Sequence, residues 1–473
     1  MHKRAKILAT VGPASNTKEK LIQLIDAGAD VFRLNFSHGT HEDHLKVINL
    51  INEINEERSL NICILQDLQG PKIRIGQVEN EGVEIIAGEQ LIISNEEEIL
   101  GNKEKVSTTY KSLPQDVNPD DVILIDDGKI QVKVIKTIGQ EVVTEVVYGG
   151  ILKSRKGINL PDTKISAPSL TAKDREDLEF GLKHNVEWVA LSFVRNAKDI
   201  TDLREIIDAH QRDTKIVAKI EKPEALLEID GIIEATDAIM VARGDLGVEI
   251  VMEDVPMVQK RITNKCNNLG KPVIIATQML ESMIDNPRPT RAEINDVANS
   301  ILDGADAVML SAESASGKYP IESVKCMANT ILSVERKASV IFNKYWNVDS
   351  PTTMINDKLI NSACRLSHDV GAKVIVGMTK TGSTGFSLAK IRPEAPIYLF
   401  TDNKRILRTM NLVWGVKGYY YDKMNKIDQT FQDISAILKE EGILDKDDVY
   451  IGTSSMPLHW AGRTNMMKLN VVN

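Results

Sequence analysis

Two apolar runs in this chain end abruptly in charge. Lys215 to Ile220 stops at Glu221, and Ala238 to Ala242 stops at Arg243-Gly244-Asp245. If both runs are strands lying parallel and side by side, Glu221 and Asp245 meet at one sheet edge, with Lys219 and Arg243 close by. Two carboxylates with few other ligands suit a hard cation such as Mg2+, which keeps several waters and borrows its remaining ligands from a phosphorylated substrate. Solvated ion pairs at strand ends are the plain alternative. Position favours the cation, because charges that end buried parallel strands sit where α/β folds build active sites.

Other apolar runs end in the same manner. Arg33-Leu34-Asn35-Phe36-Ser37-His38-Gly39 closes the second. Arg33 there can grip a phosphate through two N–H groups, and the Asn35 and Ser37 oxygens can bind a cation or a polar group. An ordinary helix cap explains Ser37 or Thr40 but not an arginine inside the run. The third run ends in Asp67-Leu68-Gln69-Gly70-Pro71-Lys72-Ile73-Arg74, where Gly70 and Pro71 suit a domain junction and Asp67, Lys72 and Arg74 add charge to the same rim. The seventh and eighth bring hydroxyls, in Ala276-Thr277-Gln278 and Leu310-Ser311-Ala312-Glu313. Far downstream, Thr379-Lys380-Thr381-Gly382-Ser383-Thr384 joins a strand to a helix. Hydroxyls, a lysine and a glycine at a helix N-terminus make a phosphate site, although the stretch is neither a Walker loop nor a dinucleotide fingerprint, and a plain capped turn rivals that reading.

The elements that must position these groups follow from hydrophobic period. Strands are expected at 5–11, 30–36, 61–67, 188–194, 215–220, 238–242, 272–277 and 306–311, with amphipathic helices at 41–57, 174–185, 197–210, 222–235, 256–268 and 291–303. Eight strands alternating with helices predict a (β/α)8 barrel. The gap between the third and fourth strands is far too long for one βα unit, and its segments VEIIAG, QLIIS, VILIDDGKIQVKVI and EVVTEVVY alternate polar and apolar residues, with a hairpin signal at Asp127-Gly128. An inserted small antiparallel β-barrel is therefore expected over 71–167, tethered by two crossings as a lid on a catalytic barrel of 1–70 and 168–345. After a helix near 320–344 and a break at Asp349-Ser350-Pro351, strands near 373–378, 396–401, 416–421, 448–453 and 467–472, with a helix at 426–441, predict an open α/β sheet domain over 346–473.

With 473 residues, 42% of them hydrophobic, the chain can bury a large core divided among several domains. A net charge of -9 and a pI near 5.6, with no cluster of Lys and Arg, argue against nucleic acid as a partner. Cys63, Cys266, Cys326 and Cys364 lie far apart in mostly apolar segments and read as free thiols in a reducing compartment. No signal peptide and no membrane span is legible, so a cytoplasmic protein is expected.

In order and spacing, RLNFSHG, DLQGPKIR, KGINLP, KIEKPEAL, MVARGDLGVE, ATQMLESM with NPRPTRAE, and VMLSAES resemble pyruvate kinase over the whole chain. The resemblance implies transfer of a phosphoryl group from phosphoenolpyruvate to ADP, giving pyruvate and ATP as the last step of glycolysis, with Mg2+ (or Mn2+) as cofactor. It implies that Glu221 and Asp245 hold the metal, that Lys219 stabilises the phosphoryl group in flight and that Arg33 binds phosphate. Gly244 and Thr277, with Asp245, take positions that hold the substrate carboxylate and flank the reacting carbon. Arg74, Lys156 and Asn35-Phe36-Ser37-His38 take nucleotide-contacting positions.

One departure carries a consequence. Members that need K+ resemble each other in having Thr, Lys and Glu where this chain has Leu68, Gln69 and Lys72, while Asn35, Ser37 and Asp67 of the monovalent-cation region are retained. An ammonium at Lys72 can supply the charge K+ otherwise brings, which implies activity without K+. The loop 379–384 matches the effector phosphate site of the family, implying activation by a sugar phosphate or nucleotide monophosphate, and a homotetramer is implied in the same way. The final loop, His459 to Thr464, follows no pattern tied to one ligand. A rival reading, a barrel lyase or aldolase with Lys219 as a Schiff base, is disfavoured by the adjacent acids and Arg33, which keep a lysine charged.

Overall fold

The computed structural model describes residues 3–96, 99–342, 355–423, 426–457 and 464–473. Strands Lys6–Thr10, Val31–Asn35, Cys63–Asp67, Trp188–Leu191, Lys215–Ile220, Ala238–Ala242, Val273–Ala276 and Ala307–Leu310 close into a parallel barrel in which the first lies beside the last. They are runs of Ile, Val, Leu and Ala because each is buried on both faces, by interior side chains and by the outer helices. All eight expected strands are present. The fourth, expected to reach 194, stops at Leu191 because the chain turns at Phe193, which has a φ of 55°.

The helices between them start as their sequences dictate. Thr40, Thr171, Asn196 and Thr290 each accept a bond from the N–H three residues on, and the acid there reaches back to the cap. Each such box is worth about 1 kcal/mol. The helix expected at 222–235 starts at Pro223, because the residue before a proline is driven into extended backbone, as Lys222 is, and it is interrupted at Glu228 (φ -103°, ψ 16°) into Pro223–Leu227 and Ile229–Ala235. The long helix expected at 320–344 ends at Lys337, followed by a single 3-10 turn, Ser339–Ile341. The break at Asp349-Ser350-Pro351 and the boundary at 345/346 lie outside the described residues.

The insertion has its own core, including Leu91, Ile93, Val106, Ile123 and Val132. Its six-stranded sheet runs in the order Ile158–Asn159, Val122–Ile125, Ile130–Ile138, Glu141–Tyr148, Gln90–Ser94, Lys105–Ser107, antiparallel except for the last pair. The hairpin at Asp127-Gly128 joins Ile125 to Ile130. The regular strands alone leave the expected barrel open. The irregular segment 73–76 supplies the seam: Ile75 N–H donates to Lys156 O and Ile158 N–H to Ile73 O on one edge, Gly76 N–H to Ser107 O and Thr109 N–H to Arg74 O on the other.

Past the barrel, Val416–Tyr420, Ile397–Thr401, Val374–Met378, Val449–Ser454 and Met466–Val471 lie side by side in that order, the last antiparallel, as the expected open sheet. This sheet domain docks on the N-terminal ends of the barrel strands. Arg392 pairs with Asp306 at 2.9 Å, Arg405 bonds the Asn185 and Val186 carbonyls, and Lys6 donates to Val416 O at 2.8 Å. Among the described residues no helix is long and apolar enough to cross a membrane.

Candidate active site

The parallel register sets Lys219 opposite Met240, Asn35 opposite Asp67 and Ala190 opposite Asp67, so the charged residues converge at the carboxyl end of the barrel. At its centre, Lys219 Nζ lies 3.0 Å from Glu221 Oε1, 3.2 Å from Asp67 Oδ1 and 2.7 Å from Ser192 Oγ. Burial alone would lower this ammonium; the Asp67 and Glu221 carboxylates outweigh it and hold the group charged, well above the usual lysine range. Asp67 is held down in turn, because Lys219 and Arg33 overcome the burial that would raise it. Arg33 donates from Nε to Asp67 Oδ2 at 2.6 Å and from Nη1 to Thr10 Oγ1 at 3.0 Å, while Thr10 donates to Leu310 O.

Burial pushes the Glu221 carboxyl up, Lys219 opposes that, and the charge of Asp245 adds to it. The turn at Phe193 gives Glu221 Oε2 an N–H at 2.7 Å. A buried carboxylate repelled by a half-buried one is a donor set for a divalent cation. Among the described residues no three His, Cys, Asp or Glu side chains gather tightly enough to form an all-protein cage. The pair therefore fits an ion that keeps waters, such as Mg2+.

Beside the pair, Gly244 N–H donates to Thr277 Oγ1 at 2.7 Å, and Thr277 Oγ1 donates to the carbonyl of Ala276. Thr277 and Gln278 both take positive φ, 68° and 55°, a costly conformation for a β-branched residue and a mark of functional turns. Arg243, expected near the carboxylates, is instead committed to Asp296, with both Nη atoms at 2.7 Å from its oxygens, and to Thr277 O at 2.8 Å. It braces the Thr277 turn.

The remaining expected residues fall in three places. Asn35 and Ser37 sit on the rim beside Asp67, with Asn35 Oδ1 accepting from Ser37 N–H at 3.2 Å. Phe36 is buried and stacked on His44, and His38 is exposed, its imidazole lowered by burial and by the charges of Arg74, Arg33 and Lys72. Leu68 is buried, and its carbonyl accepts from Ser192 Oγ at 2.7 Å. Lys72 reaches Asp245 Oδ1 at 3.5 Å, and no hydrogen bond or ion pair among the described residues ties it to Asn35, Ser37 or Asp67. Arg74 and Lys156 stand together on the inserted domain, Arg74 donating to Arg155 O and Lys156 paired with Asp126 at 2.8 Å. The loop 379–384 is at the other end of the molecule. There Thr379 Oγ1 accepts from Gly382 N–H and the buried Thr384 bonds Thr464, while Lys380 pairs with Asp402 and Thr381 and Ser383 stay exposed. Residues 458–463 of the final loop lie outside the described residues.

Sequence reasoning missed Thr10 and Ser192, at the ends of the first and fourth strands. The available signal was a hydroxyl in or directly after an apolar run, weaker than a charge but of the same kind.

A family model described as pyruvate kinase, barrel domain, matches residues 2–324, and one described as pyruvate kinase, alpha/beta domain, matches 357–470. A pyruvate kinase of Geobacillus stearothermophilus is 43% identical over 100% of this chain and 81% of its own length. Pyruvate kinase 2 of a Synechocystis strain is 42% identical over 99% of this chain and 79% of its own. The crystal structure of a pyruvate kinase from Cryptosporidium parvum superposes with a TM-score of 0.94 at 37% identity, covering 100% of this chain and 96% of that one. On the barrel, the inserted sheet domain, the docked sheet domain and these likenesses along the whole chain, the chain is a phosphotransferase that belongs to the pyruvate kinase family.

Proposed function

We propose that the residues at the barrel mouth divide the transfer of a phosphoryl group from phosphoenolpyruvate to ADP as follows. Lys219, held charged between Asp67 and Glu221, faces the group in flight and offsets the negative charge on its oxygens. Arg33, oriented by Asp67 and Thr10, grips the phosphate. Gly244 and the Thr277 hydroxyl position the substrate carboxylate and flank the reacting carbon. Glu221 and Asp245 hold Mg2+ (or Mn2+), which supplies positive charge to phosphate and enolate oxygens. Arg74, Lys156 and the rim from Asn35 to His38 take the nucleotide, with Lys156 exchanging Asp126 for phosphate.

The observation that carries this reading is the ammonium of Lys219 kept protonated among two acids and a hydroxyl. It also weighs against a Schiff-base lyase, which needs that nitrogen neutral. A coupled assay of pyruvate formed from phosphoenolpyruvate and ADP tests it. Lys219→Met should lose at least about a thousandfold in kcat while still binding Mn2+ and remaining folded. Full activity in that variant, or a borohydride-trapped adduct on Lys219 in the native protein, would overturn it.

The same reading extends to regulation and assembly. The lid spans about 71–167, the sheet domain about 346–473 takes a phosphorylated effector on the loop 379–384, and the enzyme works as a cytoplasmic homotetramer without K+. The exposed hydroxyls of Thr381 and Ser383 at the start of the helix Ser383–Ile391 support the effector site.

A further inference from the structure

Among the contacts between lid and barrel, which include Arg195 donating to the Ile165 and Ala167 carbonyls and Lys72 facing Asp245, one converges on a single carboxylate oxygen. Asn159, on the lid strand Ile158–Asn159, donates its side-chain N–H to Glu249 Oε1 at 2.8 Å, and Lys222 Nζ donates to the same atom at 2.7 Å. Lys222 and Glu249 are enclosed, with 4% and 5% of their surface exposed, and Glu249 Oε2 is buried without a hydrogen-bond partner among the described residues. Apolar Pro71, Ile73 and Phe193 share the lining of the cleft around it. A buried ion pair barely offsets the desolvation of its charges, so stability alone is a poor account of this one.

Its place in the chain gives a better account. Lys222 directly follows Glu221. Glu249 ends the helix Arg243–Glu249, one turn beyond Asp245. The Glu249 oxygen therefore joins three things: the element carrying the first metal acid, the helix carrying the second, and the lid. The main-chain bonds of the lid seam make the strand bearing Asn159 part of a closed unit, so a shift of the lid moves Asn159 with it.

We propose that Glu249 is a positioning residue that couples the orientation of the lid to the spacing of Glu221 and Asp245, an inference that rests on reading those two acids as the metal ligands. Seating Asn159 on Glu249 fixes the helix that bears Asp245 against the segment that bears Glu221. A cation held by both acids fixes the same geometry and so favours the seated lid. The coupling is reciprocal, as any linkage between two binding events must be.

The test uses the full chain with Mn2+ alone as probe. Hydrogen exchange of residues 157–160 is followed with and without saturating Mn2+, and the Mn2+ dissociation constant is measured by electron paramagnetic resonance. In the native protein Mn2+ should slow exchange there several-fold; in Asn159→Ala and Glu249→Gln that slowing should vanish and the dissociation constant rise by about three- to tenfold. Asn159→Ser, which keeps a donor, should restore part of both effects, a rescue that a merely structural loss would not give. Equal slowing by Mn2+ in Asn159→Ala and the native protein, or none in the native protein, overturns the proposal. If Glu249→Gln fails to fold, the lid-surface change Asn159→Ala decides alone. Unchanged Mn2+ affinity in Glu221→Gln and Asp245→Asn would instead overturn the metal assignment on which the proposal rests, a failure read from different variants.

Discussion

Ser192 Oγ accepts the ammonium of Lys219 at 2.7 Å while passing its own proton to the carbonyl of Leu68, also at 2.7 Å. Because that proton is spent on the carbonyl, the hydroxyl can present only a lone pair to Lys219, and it aims the ammonium without competing for substrate. Ser192→Ala should lower kcat by roughly ten- to a hundredfold, the range for losing one hydrogen bond to a charged group. KM for ADP should stay close to native. Steady-state kinetics decide; an unchanged kcat would mean that the two acids alone suffice.

Lys72 offers a second test. Its ammonium stands 3.5 Å from Asp245, and no hydrogen bond or ion pair among the described residues ties it to Asn35, Ser37 or Asp67. The native enzyme should turn over at the same rate, within about twofold, with or without K+ when substrates and Mg2+ are saturating, because the lysine already supplies a charge there. Lys72→Met should lose most of that rate in the absence of K+ and regain part of it when K+ is added. A native enzyme that is silent until K+ is supplied refutes the assignment.

At the far end of the barrel, Lys6 is buried, bonded to Val416 O, and its amine is lowered to about 8 chiefly by that burial, with Asp30 opposing. The unfolded chain keeps this proton up to the ordinary lysine range, so between pH 8 and 10.5 the unfolded state binds more protons and stability rises with pH. Below pH 8 both states are protonated and the cost of burying the charge is fully present, on the order of 3 kcal/mol. Thermal melts of Lys6→Met should show a flatter pH dependence than native over that window. Parallel curves would place the titration elsewhere.

In the sheet domain, Ser383→Ala should raise the half-activating concentration of a phosphorylated effector by about tenfold, the loss of one hydrogen bond to phosphate. Thr384→Ala should act differently. Its hydroxyl is buried against Thr464, so removing it should lower the melting temperature of the domain more than it changes effector affinity. A panel of sugar phosphates and nucleotide monophosphates in the coupled assay, beside melts of both variants, separates the two effects.

The barrel was legible because a strand buried on both faces must be apolar throughout and must stop where it meets water. Glu221, Asp245 and Asp67 announce themselves by ending such runs, and Arg33 by interrupting one. What was hidden depends on partners distant in sequence. Nothing near Arg243 shows that it is taken by Asp296, 53 residues on. Nothing in the alternation of the insertion shows that its sheet is closed by main-chain bonds of 73–76, since backbone amides carry no side-chain signature. Ser192 and Thr10 were overlooked because a hydroxyl interrupts an apolar run far less visibly than a charge does.

The seam of the lid begins three residues beyond Gly70, where the chain leaves the barrel. Gly70 has a φ of 68°, and a Cβ there would lie 2.8 Å from the Phe193 ring and 2.9 Å from Ser192 Cβ. The hinge leaf is thus riveted into the door: residues 73–76 cannot bend without opening the sheet they close, and Gly70 cannot be widened without pressing on the serine that aims Lys219. The crossing from Leu68 to Lys72 and the ammonium of Lys219 therefore share one hydroxyl, that of Ser192, as their common bearing.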